Sequence, residues 1–393
     1  MAKFIVRYYL FKILKKLIKK LKKTLSTILV ILAGLKLCAQ HTYVFFGSFN
    51  HDKETEGIYV YELDTLKGNL SKVTSVKGVL NPSFLTLSQN GKYVFACTES
   101  KTKNAGSVSS FGFNPEKRSL TFINSQKSGG ENPVYLTTHK NGKWLVNGNY
   151  TEGSVSVYPI SENGMIEPGV QNFQFSEGSV NPDRQDHAHI HSTVFSPDFN
   201  YVFLPDLGAD KIRAYKFETD KKEPLIEAEK PFITTAPGSG PRHFTFHPNG
   251  KFAYCIEEMG GAVSVYQYDS GILKPIQRIN THSDELKGDF ESSDVHISPD
   301  GRYLYASNRG SENNIAIFSI LNDGTLKTVG YQSTKGKHPR TFTIDSSGKF
   351  LIVAHPVSGT AVVFKRNAET GLLRKVGREV KLDGVSTVQI RKY

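Results

Sequence analysis

Histidines at 187, 189 and 191 alternate along the chain, so an extended segment would present all three on one face. Imidazoles at that spacing can chelate a transition metal. Alternatively His189 or His191, with a pKa near neutrality, can act as a general base or a substrate contact. A solvated, rim-facing histidine group is the inert alternative. Arg242, Arg309 and Arg340 form a second set. A guanidinium grips a carboxylate or phosphate with two parallel hydrogen bonds, so arginines facing a cavity suit an anionic substrate, whereas arginines between blades would only form ion pairs. Glu258 is placed to orient a base or an arginine; Glu257 precedes it and would point to the opposite face of a strand. Glu99 occupies the position of Glu258 in another repeat and is a further candidate for the substrate rim. The chain has no Gly-x-Ser-x-Gly elbow, no P-loop and no Cys-x-x-Cys.

The elements that must position these side chains form a repeat. Asn81-Pro82-Ser83-Phe84-Leu85 with Gly91-Lys92-Tyr93-Val94-Phe95 returns as Pro133-Val134-Tyr135-Leu136 with Gly142-Lys143-Trp144-Leu145. It returns again at His191-Ser192-Thr193-Val194-Phe195, Pro241-Arg242-His243-Phe244, Ser293-Asp294-Val295-His296 and Pro339-Arg340-Thr341-Phe342. Each copy is two β-rich runs joined by a turn, and alternating runs such as Val263-Ser264-Val265-Tyr266 follow. A sheet of four strands recurring every fifty or so residues cannot bury both faces alone, which predicts a β-propeller. Six full copies leave two ends. Val385–Ile390 resembles the first half of the unit and Thr42–Ser48 the second, so the termini should share a seventh blade and remove the open edges. The fold expected is all-β: a seven-bladed propeller of four antiparallel strands per blade.

The repeat also sets register. Eight residues after each turn position stand Glu99, Tyr150, Gly208, Glu258, Arg309 and Pro356; eight before it stand Ser83, Val134, Ser192, Arg242, Ser293 and Arg340. Adjacent strands are antiparallel, so both rings belong to one mouth of the channel, and Arg242, Glu258, Arg309 and Arg340 should converge there. His243, His247 and His296 fall on inner strands and read as packing or hydrogen-bonding residues; Asp206 and Asp210 read as turn-stabilising.

Charge argues against nucleic acid. The formal net charge is +12, but residues 1–40 carry ten Lys or Arg and no acid, which leaves +2 for 41–393. The basic stretch to Lys23, the apolar run Leu25 to Leu35 and the small residues near Ala39 have the build of a secretory leader, with cleavage expected after Ala39. The alternatives are an uncleaved anchor or lipidation at Cys38, and the basic segment would suit an anionic membrane face. The domains expected are a leader over 1–39 and a propeller over 40–393, exported to the periplasm or secreted, with membrane contact only through an uncleaved leader. Cys97 and Cys255 fall in non-adjacent repeats and read as buried thiols.

Gly240-Pro241-Arg242-His243-Phe244, Ala306-Ser307-Asn308-Arg309-Gly310 and Pro205-Asp206-Leu207-Gly208-Ala209-Asp210 resemble the lactonase family of seven-bladed propellers, which includes propeller-type 6-phosphogluconolactonases and 3-carboxy-cis,cis-muconate lactonising enzymes. The resemblance extends over essentially all of 41–393. It implies a site at one channel mouth without metal or other cofactor, built on a His, two Arg and a Glu. Carried onto this chain, His189, His191, Glu258 and Arg309 would be catalytic, and Arg242, Arg340 and Glu99 would hold substrate. The function implied is hydrolysis of a sugar-derived, anionic lactone by a monomer or weak dimer. Ala354-His355-Pro356, the third histidine and the leader depart from the family pattern. They keep two alternatives in view: a non-catalytic envelope propeller binding a sugar acid or a protein, and a muconate-type lactoniser.

Overall fold

The computed structural model describes residues 2–34 and 40–393, with helix side chains described over 5–24. A helix spans Ala2–Gly34, and no described helix is long and apolar enough to cross a membrane. The cleavage position after Ala39, and Cys38, lie outside the described residues. Residues His41–Tyr393 form a separate compact unit.

Among the described residues that unit contains seven four-stranded antiparallel sheets. In chain order the first six blades span 84–127, 133–174, 194–234, 241–280, 292–333 and 341–381; they are called blades I to VI here. Blade VII is made from both termini. Its inner strand Val385–Lys392 pairs with Thr42–Ser48, from Thr42↔Lys392 to Ser48↔Val385, as the matching halves of the repeat predict. Blade VII is packed on both sides. Phe46 and Val388 share a core with Phe350 and Ile352 of blade VI. Tyr43 and Phe45 pack with Leu85, Val94 and Phe111 of blade I. Cys97 and Cys255 are buried free thiols in blades I and IV.

Two irregularities set up the functional end. The ladder of blade IV runs Pro241↔Glu257 and then His243↔Ile256, which leaves Arg242 as a bulge residue. A bulge takes one side chain out of strict alternation and re-aims it. The same interruption falls at Val134 in blade II and at Ser293 and Asp294 in blade V. In blade III the inner strand shrinks to Val194–Phe195, and upstream of it the Asp206 carboxylate accepts the His189 N–H. The histidine segment therefore runs as an irregular extended strip, tied by Leu207 N–H to His189 O and His191 N–H to Pro205 O.

The closure depends on apolar contact across blade boundaries. Phe46 is fully buried in the VI–VII core, so Phe46→Ala should cost about 3–5 kcal/mol. Phe122→Ala, at a side chain that is 49% exposed, should cost less than about 1 kcal/mol. Urea denaturation checks both: the Phe46 midpoint should fall well below the Phe122 midpoint, and equal midpoints would contradict closure through this core.

Candidate active site

Blade-to-blade hydrogen bonds join the ring positions. Ser192 Oγ donates to Arg242 O at 2.8 Å, Ser293 Oγ to Arg340 O at 2.6 Å and Ser386 Oγ to Ser83 O at 2.8 Å. Arg242 Nη1 donates to Ser293 O at 2.7 Å. Positions equivalent by repeat thus touch across the mouth, and arginines at them come together.

Glu258 is the centre of the cluster. Its Oε2 lies 2.8 Å from Arg242 Nε, 3.1 Å from Arg309 Nη2 and 4.0 Å from His191 Nε2. Its Oε1 accepts from Arg184 Nη2 at 2.7 Å. Burial alone would raise the Glu258 carboxyl, but Arg309 and Arg242 outweigh it and hold it well below the usual range. Arg242 is 1% exposed, and burial followed by repulsion from Arg340 and Arg309 pulls it down to about 9. Arg340 is half-buried; burial and Arg309 bring it to about 10. Arginine nonetheless keeps its charge in proteins, so burial and mutual repulsion leave these guanidiniums suited to an anionic partner.

Arg340 and Lys101 add to this positive charge. The Phe49 ring takes Lys101 Nζ at 4.0 Å and the Arg340 guanidinium at 5.5 Å. Neither cation has a carboxylate partner among the described residues. Lys101, an exposed residue whose Nζ lies over Phe49, is lowered to about 8, first by desolvation and then by Arg340 and Arg309. His338, 3.4 Å from Arg309 Nη1, is lowered to about 3 by burial and the same arginines.

A second buried carboxylate supports the first cluster. Arg242 Nη1 lies 3.0 Å from His243 Nε2, and because arginine only donates, that nitrogen must accept. His243 is therefore neutral, with Nδ1–H donating to Asp294 Oδ1 at 2.7 Å; burial and Arg242 lower it to about 4. Asp294 also accepts from the N–H groups of Val295 and Phe342 and faces His296 Nε2 at 3.1 Å, tying blades IV, V and VI together.

The three histidines divide. His191 Nε2 faces Glu258, and its buried Nδ1 has no hydrogen-bond partner among the described residues. His189 stacks on Tyr150, with centroids 4.4 Å apart and an interplanar angle of 5°, and donates from Nδ1 to Tyr150 O. His187 donates from Nε2 to Thr151 O. Two glycines make room for the strip: a Cβ at Gly208 would lie 1.8 Å from His187 O, and one at Gly153, whose φ is +61°, 2.4 Å from Ala188 O.

Of the candidates read from sequence, His191, Arg242, Glu258, Arg309 and Arg340 come together. Glu99 does not join them. It sits at a turn with φ of 55°, faces Lys53 at 3.4 Å, and lines a separate surface cavity of about 620 Å³ with Glu131 and Glu152. His189 is one shell away, behind Tyr150. Glu257 points elsewhere, to Arg278 and Ser264. Asp206 and Asp210 accept loop N–H groups, consistent with stabilising turns. His243 and His296 are hydrogen-bonding residues as read, but through Asp294 they also support Arg242. Sequence reasoning missed Arg184, Lys101, His338 and Asp294. Asp294, His338 and Lys101 lie within two residues of ring positions, a signal that could have found them; Arg184 sits in an irregular loop with no periodic signal.

The description "Lactonase, 7-bladed beta-propeller" belongs to the family profile that matches residues 43–390. A Formosa agariphila protein named 6-phosphogluconolactonase is 41% identical over 352 residues, covering 89% of this chain and 99% of that protein. A Bacillus subtilis protein of the same name is 32% identical, covering 81% and 90%. Among solved structures, the Pseudomonas aeruginosa periplasmic gluconolactonase superposes with a TM-score of 0.83 at 31% identity, covering 90% of this chain and 99% of that one. A candidate 6-phosphogluconolactonase from Bacteroides fragilis gives 0.84 at 36% identity, covering 91% and 99%.

Asp294 makes acid stability a test of this architecture. Burial alone would raise its carboxyl, but His296 and His243 hold it far below the ordinary value. A depressed carboxyl stabilises the fold above the unfolded-state pKa, about 4, and that stability is lost as pH falls toward the folded value. Asp294→Asn should flatten the fall in urea midpoint below about pH 4 and cost about 1–3 kcal/mol at pH 7 by leaving buried donors poorly paired. An unchanged acid slope would mean that the carboxylate contributes nothing to the tie.

Proposed function

Since the chain belongs to the seven-bladed β-propeller lactonase family, we propose that it hydrolyses a sugar-derived lactone at this mouth, as the names of its relatives suggest. The observation that carries the reading is the convergence of Arg242, Arg309 and His191 on the Glu258 carboxylate. His191, which burial and then Arg242 hold well below the ordinary imidazole value and so neutral, takes a proton from water as the water oxygen attacks the lactone carbonyl carbon. Arg309, with Arg242, stabilises the oxyanion that forms. Collapse of the tetrahedral intermediate breaks the bond to the ring oxygen, which receives the proton from His191, and the open-chain acid leaves. Glu258 fixes the two arginines. His189, bound to Tyr150 O and distant from Glu258, has no part in this step.

Arg340 and Lys101 are assigned the anionic substituent of the substrate. Among the described residues five cations (Arg184, Arg242, Arg309, Arg340 and Lys101) share the mouth with the buried carboxylates Glu258 and Asp294, and a phosphate or carboxylate would relieve their repulsion. The basic leader and the likeness to a periplasmic protein support export, with the leader over 1–39 and the propeller over 40–393.

The assay is lactone hydrolysis by purified protein with a panel of aldonolactones, phosphorylated and not; rates at background throughout would overturn the reading. Arg309→Ala should lower kcat/KM about 10- to 150-fold, the equivalent of roughly 1.5–3 kcal/mol for a charge-assisted contact. His191→Gln should lower kcat about 10²–10⁴-fold with little change in KM.

The substituent site has its own signature. Lys101→Met and Arg340→Met should each raise KM for the phosphorylated lactone about 10-fold or more and leave the unphosphorylated analogue unaffected. Inorganic phosphate should compete, and its inhibition constant should rise above about pH 8 as Lys101 loses its proton, a dependence that Lys101→Met removes. Equal effects of both substitutions on both lactones would assign the two cations no selectivity.

A further inference from the structure

We propose that Asp186, His187 and His189 form a transition-metal site of the Zn²⁺ type beside the channel mouth, fed by the third histidine that sets this chain apart from the usual pair. Hydrogen-bond logic carries the inference. A backbone carbonyl can only accept, so each imidazole nitrogen bonded to one must bear the hydrogen. His187 Nε2 is bonded to Thr151 O at 2.8 Å, which leaves the lone pair on Nδ1. His189 Nδ1 is bonded to Tyr150 O at 2.9 Å, which leaves the lone pair on Nε2. Both free nitrogens face the same atom: Asp186 Oδ1 lies 3.0 Å from His187 Nδ1 and 3.6 Å from His189 Nε2. Three acceptors thus meet, all within 4.8 Å of one another, with no hydrogen between the two neutral imidazoles and the carboxylate. An extra proton on one imidazole, water on the exposed side of Asp186 or a metal would each meet that arrangement.

The geometry favours a metal. Ligands about 2.1 Å from a tetrahedral zinc lie roughly 3.4 Å apart, and the separations of 3.0 and 3.6 Å fall on either side of that figure. The far nitrogen of each imidazole already has the carbonyl partner that orients ligating histidines. Both carbonyls belong to the turn after the strand Trp144–Asn149, so blade II presents the outer shell and the blade III strip presents the ligands. Gly153 and Gly208 hold that strip too tightly for any larger residue, which fixes the ligand spacing from the backbone. Two imidazoles and one carboxylate suit zinc and its late first-row neighbours, and the exposed side of Asp186 leaves a fourth position to water. The site is separate from the step assigned to His191 and does not rest on the lactonase reading.

The test is isothermal titration of the metal-stripped full chain with ZnCl₂, paralleled by CoCl₂ with visible absorption. The expected result is saturable one-to-one uptake and the intense visible bands of four-coordinate cobalt. His187→Gln and Asp186→Asn should each weaken binding at least ~10-fold. Both side chains are partly or largely exposed, so the variants should keep the wild-type far-UV dichroism and melting temperature. A chain that takes up neither metal one-to-one overturns the proposal. So does a Zn²⁺ affinity unchanged in the double variant, which would place the ion at another histidine–carboxylate pair such as His282 and Glu312.

Discussion

One buried carboxylate organises the functional end of this propeller. Glu258 accepts from Arg184 and faces Arg242 and Arg309, three guanidiniums drawn from a loop, an inner strand and the end of a neighbouring blade. A guanidinium taken out of water without a partner is costly, and a carboxylate alone is equally so. Glu258 therefore fixes where all three can stand. With one negative charge against three positive ones, it also leaves the mouth short of anions. Burial and then mutual repulsion pull Arg242 and Arg340 down, and an anionic ligand would relieve the repulsion.

The propeller achieves the convergence by symmetry and then by breaking it. Equivalent positions of successive blades meet around the axis, and serines at those positions donate to the next blade's carbonyls: Ser192 to Arg242 and Ser293 to Arg340. On that uniform frame, bulges at Arg242 and Ser293–Asp294 re-aim single residues. Asp294 then carries the load between blades IV, V and VI through His243, Val295 and Phe342.

Blade III departs furthest from the repeat, and its departure separates histidines that the sequence places on one face. Asp206 takes the His189 N–H and is itself held by Arg213 at 2.8 Å, where the strip leaves the regular ladder. His191 turns in to Glu258, while His187 and His189 bond the carbonyls of the 150–151 turn and meet Asp186. One short segment thus faces both the arginine-rich centre and a cluster of hydrogen-bond acceptors.

The sequence by itself determined the architecture, because a propeller is local chemistry repeated. Each hairpin from Asn81-Pro82-Ser83 to Pro339-Arg340-Thr341 carries its own turn and alternation, and the half-units at Thr42–Ser48 and Val385–Ile390 complete one another. Register alone then put Arg242, Glu258, Arg309 and Arg340 at one mouth. What the repeat could not decide is where a side chain points once the chain leaves the strand. Glu99 occupies the ring position of Glu258, yet its left-handed backbone turns it to Lys53. Arg184 comes from a loop without periodicity and Lys101 from the turn two residues past Glu99, and only the packed structure brings them to the mouth. The choice between His189 and His191 also belonged to tertiary structure, because it turns on which imidazole nitrogens find backbone carbonyls, and those carbonyls come from a neighbouring blade.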